Sequence, residues 1–272
     1  AMSGTDFVGI LANGKMFRGN ANSKGQNHWF ETDTYSLDYS LVTSNHQMVK
    51  GSFSGSDWNQ DEYESYVNRS KEKLSLMERK PIKIKTGDYR TWFESAAVSD
   101  FLGMFSWNGI SEASLRQGCS GFGKMRHNDA RLSPKFSVIE DFSPGYCPKF
   151  NSDGEVAPDE LALIEAGKLK NTLISSRSAK EYGLQSNYAE NGEFLRSPRM
   201  AIGNLNQNDV VKELDRGLFL SNIHYLNWSD NPGGRITGLT RYACFWVEGG
   251  EIVAPIETMR FDDSFYRFFG DQ

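Results

Sequence analysis

The amino-acid sequence predicts an α+β protein whose C-terminal part is rich in antiparallel β-sheet. Two long runs of aromatic and β-branched residues flank the turn-forming cluster 229–234, which contains Asn231-Pro232-Gly233-Gly234. A second turn, Gly249-Gly250, precedes the short run 251–256. Glycine reaches positive φ without steric cost, so both clusters are typical of hairpin turns. Residues 217–255 are therefore predicted to form a three-stranded antiparallel meander.

A turn centred near Pro232 sets the register of the first hairpin. The predicted cross-strand pairs are Leu220 with Cys244, Asn222 with Tyr242, and His224 with Thr240. Both faces of the hairpin are largely apolar, so we expect this sheet to be covered on both sides. An error of one residue in the turn centre changes these pairings.

Residues 6–55 alternate short strand-like runs with glycine or asparagine turns, which indicates antiparallel sheet. The runs are FVGIL, MFRGNA, HWFETD, YSLDYSLVT and MVKGSFS. Residues 61–79 change to a helical period and end before Pro81. This change from strand to helical periodicity predicts two domains. Residues 1–80 are expected to be the remaining end of a domain of strands and one helix, and residues 85–272 are expected to form the C-terminal sheet domain packed with helices.

Helical and strand-like runs alternate through the rest of the C-terminal part. The run 95–107 is apolar nearly all round, which predicts a buried helix. Further helices are predicted at 112–117, 176–182 and 208–215, and strands at 135–140, 161–164 and 169–174. These helices are expected to pack against the central sheet.

Composition narrows the class of protein. With 38% hydrophobic residues, 13% aromatic residues and 26 glycines among 272, the chain is globular and rich in turns. No apolar run reaches the length of a membrane span, so a cytoplasmic protein is expected. The formal net charge is −5, whereas nucleic-acid binders usually carry a basic stripe that neutralises phosphates. Direct binding to nucleic acid is therefore not expected.

Motifs for phosphate, metal or nucleophilic chemistry are incomplete. The match to GxxxxGK at 118–124 is followed by Met125, where a phosphate loop needs Ser or Thr. The four histidines include no pair at the i, i+4 spacing that places zinc ligands on one helical face. In the predicted register, Cys244 and His224 lie about 13–14 Å apart, too far to act together. The sequence therefore predicts no cofactor, no metal and no catalytic residue.

Polar residues on the predicted hairpin leave two interpretations open. His224 is either a hydrogen-bonded core histidine or a polar contact in a groove, and Cys244 is a small buried residue. Arg235, Arg241 and Glu248 lie within or beside strands that we expect to be buried on both faces, where charges must be paired. They form either an internal salt bridge, with Asp230 or Glu251, or a ligand contact.

Three sequence blocks resemble the C-terminal region of the TldD/PmbA family. The blocks are GLFLSNIHYLNWSD, RITGLTRYACFWVEGGEIVAPI and MRFDDSFYRFFGD. A looser resemblance extends back to DFVGILANGKMFRGNANSKGQ. Members of this family are named as proposed modulators of DNA gyrase and as a pair of metallopeptidase proteins. They carry a further N-terminal part, which the resemblance implies is missing here.

The resemblance also implies a role. The catalytic branch of the family carries an HExxxH motif on a helix, but the corresponding stretch here, 106–117, contains Glu112 and no histidine. The chain therefore resembles the PmbA/TldE-like branch that lacks this motif.

A PmbA/TldE-like chain is expected to be a non-catalytic subunit for peptide processing or degradation. Its expected partners are a metal-bearing TldD-like subunit or another copy of itself, a peptide substrate, and neither nucleic acid nor membrane. The residues expected to line a peptide groove are His224, Asn227, Arg235, Arg241 and Glu248. A stand-alone hydrolase with an unrecognised site is the alternative.

Overall fold

The computed structural model describes residues 6–271 and contains three β-sheets with short helices packed between them. The predicted α+β class, with mainly antiparallel sheet, is confirmed. In chain order, the strands are β1 (Asp6–Ala21), β2 (Asn27–Val42), β3 (Met48–Gly55), β4 (Thr91–Phe93), β5 (Val138–Asp141), β6 (Glu160–Glu165), β7 (Lys168–Leu169), β8 (Pro198–Met200), β9 (Gly217–Asp230), β10 (Arg235–Glu248), β11 (Glu251–Pro255) and β12 (Arg260–Ser264). The helices are α1 (Gln60–Met77), α2 (Ser95–Phe105), α3 (Glu112–Arg116), α4 (Gly123–Arg126), α5 (Ser176–Tyr182), α6 (Val210–Leu214) and α7 (Phe265–Phe268).

The first sheet is an antiparallel meander in the order β1-β2-β3. The five predicted runs are three longer strands, because Asn13-Gly14, predicted to be a turn, lies within β1 opposite Tyr35 and Thr34. Continuous pairing with β2 outweighs the turn preference of these two residues. Strand β3 pairs only with residues 35–42 of β2, so residues 14–34 form a two-stranded ribbon that extends beyond the sheet.

Helix α1 covers this sheet. It begins after Asn59, whose side chain accepts hydrogen bonds from the backbone N–H groups of Asp61 and Glu62. It ends at Met77, shortly before Pro81, which confirms the predicted helix within two residues. Its apolar face places Val67 and Met77 in the core.

The second sheet contains the predicted meander in the order β11-β10-β9-β4, and β12 also pairs with β10. Leu220 lies opposite Cys244, as predicted. The other two predicted pairs are wrong, because Asn222 lies opposite Arg241 and His224 lies opposite Leu239. Register shifts in the pairing of β9 with β10 change which residues of β10 lie opposite Asn222 and His224.

The cover on both faces of this hairpin reaches only part of its length. Phe219 and Phe245 pack in one cluster, together with Leu41 and Val49 of the first sheet. Cys244, 2% exposed, packs on the other face of the hairpin with Ile256, as expected for a small buried residue. Nearer the turn, Ile223, Trp228 and Ile236 still pack in an apolar cluster with Phe265. The residues exposed in this part are mainly on β9, among them His224, Tyr225 and Asn227.

The third sheet has the order β7-β6-β5-β8 and lies beside an aromatic core built by α2, α4 and α7. Phe101, Phe105, Phe122 and Phe265 are each at most 1% exposed. The expectation that α2 is buried all round is wrong, since Ser95, Ala96, Ser99 and Asp100 are exposed. One face of α2 packs on β9 and the core, and the small and polar residues occupy the other.

Two smaller predictions need correction. The predicted strand 169–174 shortens to β7, and the predicted helix 208–215 divides into a 3-10 turn, Gln207–Asp209, and α6. No helix in the described part of the chain combines the length and the apolarity that a membrane span needs. The domain boundary between residues 80 and 85 stays a prediction, and one apolar cluster joins both sides of it.

Candidate functional site at the bulged hairpin

The middle of the β9–β10 hairpin adopts an unusual backbone conformation. Tyr225 has a φ of 50° and Tyr242 a φ of 61°, both in the left-handed region. A residue with a side chain costs about 1–2 kcal/mol there. The pairing also shifts register between Thr237 and Leu239 and between Arg241 and Cys244. Such strain concentrates at sites where a side chain is directed away from the regular pleat.

The distorted pairing exposes His224. Its ring lies 4.2 Å from that of Tyr225, measured between centroids, and Tyr225 is 74% exposed. Because the side chain of His224 is exposed, the interpretation as a core histidine is wrong. The groove interpretation of His224 stays a prediction.

Helix α2 and strand β3 bring two charged groups to the same region. The side chain of Asp100 is exposed, yet surrounding protein atoms partly desolvate its carboxylate and raise its pKa. The charges of Lys50 and His224 act in the opposite direction. The carboxylate of Asp100 on α2 therefore lies within electrostatic range of side chains on β3 and β9.

One edge of β9 has no strand partner along this region, although helix α2 packs against the same strand. Parallel pairing with β4 covers only residues 218–220 of β9. Within residues 6–271, no strand pairs with that side of β9 from residue 222 to residue 230. His224, Tyr225 and Asn227 lie on this open segment, and all three side chains are exposed. An open edge offers the unpaired N–H and C=O groups that an extended peptide requires.

The structure does not bring all five predicted groove residues together. Arg235 and Glu248 lie at opposite ends of β10, roughly 44 Å apart along the strand. Arg241 is exposed at the bulge, and its guanidinium lies 5.0 Å from the ring of Tyr242. Only His224 and Asn227 lie along the open edge of β9.

The expected internal salt bridge is wrong. Arg235, Arg241 and Glu248 are all exposed, because they lie at strand ends or at the bulge. Glu248 contacts Arg216 at 3.7 Å, and both of these side chains are more than half exposed. An ion pair in such a position contributes little to stability.

Glu112, the one acidic residue of the stretch 106–117, is buried at 2% exposure. Its carboxylate accepts hydrogen bonds from Arg116 at 2.8 Å, from Thr172 at 2.7 Å and from Arg126. Burial raises the pKa of Glu112, but these hydrogen bonds and the charge of Arg126 outweigh it and lower the pKa overall. Glu112 is therefore a structural anion whose oxygens are already engaged.

The residues around Glu112 do not fit a metal ion. Two arginines face the carboxylate, and a cation placed there would be repelled by both of them. Among residues 6–271, no three His, Cys, Asp or Glu side chains lie together in a geometry that could hold a metal. No metal-dependent step can be built on this stretch.

A second buried carboxylate, Glu193, was not identified from the sequence. One carboxylate oxygen accepts from the Ser111 hydroxyl at 2.6 Å and the Ala113 N–H at 2.9 Å. The other accepts from the hydroxyl and the N–H of Ser175, both at 3.0 Å. Glu193 thereby joins the first turns of α3 and α5. Glu193 lies outside every predicted helix and strand, so no local pattern indicates this role.

Comparisons with known proteins agree with this fold. The family model described as the PmbA/TldA metallopeptidase C-terminal domain matches residues 86–271, more than half of the chain. No curated protein matches the sequence.

Three solved structures are similar to the chain. A candidate modulator of a DNA gyrase from Thermotoga maritima has a TM-score of 0.79 at 17% identity, over 96% of this chain and 62% of its own. TldE from Thermococcus kodakarensis has a TM-score of 0.72 at 17% identity, over 96% and 61%. A candidate modulator of DNA gyrase from Bacteroides thetaiotaomicron has a TM-score of 0.78 at 15% identity, over 97% and 60%. The chain spans about three fifths of the length of these structures, and identities this low show the fold alone.

Proposed function

Because the chain belongs to the PmbA/TldD family, we propose that it is a non-catalytic, TldE-like subunit of a peptide-processing assembly. In this proposal, the metal-dependent step takes place in a TldD-like relative that carries HExxxH. This chain contributes a surface that holds an extended peptide and a surface that holds the partner or a second copy.

The observation that carries the proposal is the state of Glu112. In the metal-bearing branch, the corresponding stretch needs two histidines as ligands and a glutamate as general base. Here the stretch has no histidine, and Arg116 and Arg126 neutralise its one glutamate. A carboxylate whose pKa is lowered by two arginines is also a weak base. Both requirements of the metal motif are therefore unmet.

The open edge of β9 supports the peptide-binding part of the proposal. A peptide added as a strand gains affinity from main-chain hydrogen bonds, without any catalytic side chain. The segment 222–230 offers nine residues of such an edge. His224 and Asn227 border it and can contact peptide side chains. We infer that these two residues tune peptide binding. Glu248 lies too far along β10 to contact the same peptide, whereas Arg235 lies opposite Asp230 at the end of the segment but on the inner strand.

Mixing this chain with a metal-bearing TldD-like relative tests the assignment. We expect the chain alone to leave an unfolded peptide intact, and the mixture to show both a higher mass by light scattering and faster cleavage than the relative alone. Peptide cleavage by this chain alone, with the relative adding neither mass nor rate, contradicts the proposal and favours the stand-alone hydrolase.

A paired variant separates the peptide site from general damage. Replacing His224 and Asn227 together with alanine should lower the cleavage rate of the mixture about tenfold at subsaturating peptide while the mass of the complex stays unchanged. Glu251→Ala changes an exposed residue on β11 and should alter neither quantity. Equal rates for the double variant and the Glu251 control would exclude the β9 edge as the peptide site.

A further inference from the structure

The outer edge of β1 is a long unpaired strand edge. The order β1-β2-β3 leaves one side of this 16-residue strand without a neighbour among the described residues. Natural proteins usually protect such an edge with proline, inward-pointing charges or a short strand. Strand β1 contains no proline, and it exposes Val8 at 67%, Ile10 at 73% and Leu11 at 60%. An edge of this kind is a template for a strand from another chain.

The sequence of β1 is matched to itself around Ala12. Of the six pairs of residues at equal distances from Ala12, the outer three are complementary in charge or similar in apolar character. They are Asp6 with Arg18, Phe7 with Phe17, and Val8 with Met16. The inner pairs, Gly9 with Lys15, Ile10 with Gly14 and Leu11 with Asn13, are not matched in this way, but Gly14 leaves room for the larger side chain of Ile10. A strand with this pattern can pair with a second copy of itself.

Symmetry limits how two such strands can pair. Side chains that lie opposite each other in an antiparallel pair point to the same face of the sheet, and a two-fold axis normal to the sheet keeps each face on its own side. Only registers with one residue on the axis meet this condition for a regular strand. Placing Ala12 on the axis sets Asp6 opposite Arg18. Placing Leu11 there instead sets Asp6 opposite Met16.

The two charges are available for this pairing. Asp6 and Arg18 are exposed, and neither forms an ion pair within residues 6–271. Lys15, in contrast, is held by Glu31 at 2.7 Å. The terminal pair of the proposed interface therefore joins two groups that have no other charged partner in the described part of the chain.

We propose that β1 pairs antiparallel with β1 of a second copy of this chain, with Ala12 on the two-fold axis. The two three-stranded sheets then form one six-stranded sheet with Asp6–Arg18 and Phe7–Phe17 contacts on both sides of the axis. The proposal deepens the self-association included in the proposed function. Its evidence is the β1 edge, which is separate from Glu112 and from the open edge of β9.

Cysteine cross-linking tests the register directly, in a background that carries Cys119→Ser and Cys147→Ser. Ala12→Cys lies opposite its own copy and should cross-link two chains in high yield under mild oxidation. Ile10→Cys is separated from its own copy by about 13–14 Å along the strand and should not. Adding Gly14→Cys to Ile10→Cys restores a facing pair and should restore the cross-link. A monomer at all concentrations, or equal cross-linking of the two single variants, overturns the proposal.

Charge reversal tests the same register in a chain that keeps its native cysteines and has no introduced ones. Asp6→Arg or Arg18→Asp alone places like charges opposite each other and should raise the dimer dissociation constant about tenfold. The double variant exchanges the two charges and should return the constant to within about twofold of the wild type. A double variant as weak as the single variants overturns the register. Far-UV circular dichroism of each variant checks that the sheet is intact.

The outcome of these experiments does not depend on whether the proposed function is correct. Cross-linking and mass are measured on this chain alone and do not depend on peptide cleavage, which belongs to the mixture with a metal-bearing relative. If Ala12→Cys cross-links to that relative but not to its own copy, the edge belongs to the other subunit and self-pairing is excluded. Cleavage that requires the relative, together with a monomeric chain, leaves the proposed function standing and removes only the β1 dimer.

Discussion

At the scale of single residues, two of the buried carboxylates, Glu112 and Glu193, are satisfied in different ways. Burying an ionised group is expensive unless it is paired or hydrogen-bonded. Glu112 is neutralised by arginines, whereas Glu193 accepts hydrogen bonds from hydroxyl and backbone N–H groups at the starts of α3 and α5. Both side chains are 2% exposed. Each therefore fixes the positions of elements that are distant in the sequence.

We predict that Glu193→Gln lowers the free energy of unfolding by about 2–3 kcal/mol at pH 7, since hydrogen bonds to a charged group are replaced by an amide whose NH₂ faces donors. Equilibrium denaturation in urea measures the change. Glu181→Gln, on the exposed surface of α5, is the matched control and should change stability by less than about 0.5 kcal/mol. Equal effects of the two variants would show that Glu193 does not join the helices.

The same carboxylate predicts a pH dependence. Burial raises the pKa of Glu193, but hydrogen bonds from the Ser111 hydroxyl and from the backbone N–H groups of Ala113 and Ser175 outweigh it and lower the pKa below its ordinary value of 4.5. A group with a lowered folded pKa stabilises the protein above its unfolded pKa and loses that contribution as the pH falls through the folded pKa. The stability difference between wild type and Glu193→Gln should therefore narrow below pH 4.5. A difference that stays constant from pH 7 to pH 3 would contradict this assignment.

At the scale of elements, the bulged hairpin separates a continuously buried stretch from one in which buried and exposed residues alternate. Residues 243–247 of β10 are buried, whereas Arg241 and Tyr225 near the register shifts are exposed. His224 is exposed beside the same distortion, and the other edge of β9 is unpaired there because β4 pairs only with residues 218–220. The candidate peptide site therefore combines the bulge on one side of β9 with the short β4 on the other.

We predict that Tyr225→Gly is more stable than Tyr225→Val by about 1–2 kcal/mol, because glycine adopts the left-handed conformation freely and a β-branched residue does not. Both changes remove the same exposed ring, so their comparison isolates the backbone. Equilibrium denaturation of the two variants measures the difference. A valine variant as stable as the glycine variant would indicate a regular strand with no bulge at this position.

At the scale of the whole molecule, the first sheet is fixed to the rest of the chain at two places. Its base shares an apolar cluster with β9 and β10. The tip of the ribbon is held by Asn20 and Gln26, whose side-chain amides each donate to a backbone carbonyl, of Ser152 and of Gly154, at 3.0 Å. Between these places, no strand within residues 6–271 pairs with the outer edge of β1, so the proposed pairing with a second chain uses this edge and not the ribbon tip.

We predict that the purified chain contains far less than one zinc per molecule, because no histidine pair has ligand spacing and Glu112 is neutralised by arginines. Elemental analysis after dialysis against metal-free buffer measures the ratio, with a zinc enzyme of known content treated alongside. Stoichiometric zinc that disappears in His224→Ala or His127→Ala would contradict the prediction and would reopen the question of catalysis by this chain.

The sequence by itself determined the features that depend on neighbours along the chain. Three features were predictable because backbone conformation and local hydrogen bonds favour them: the glycine turns near 233 and 249, the helix that begins after Asn59, and the alternation that buries Leu37, Tyr39 and Leu41. The missing histidines of the metal motif are likewise a property of the sequence alone.

The tertiary structure decided the features that depend on partners far away in the chain. Asn13-Gly14 continues a strand because β2 pairs with it, and His224 is exposed because the pairing of β9 with β10 shifts register. Glu193 became a link between two helices only when residues 111 and 175 were brought to it. Cross-strand pairing and burial are set by distant segments, and the local preferences that a sequence displays are too weak to resist them.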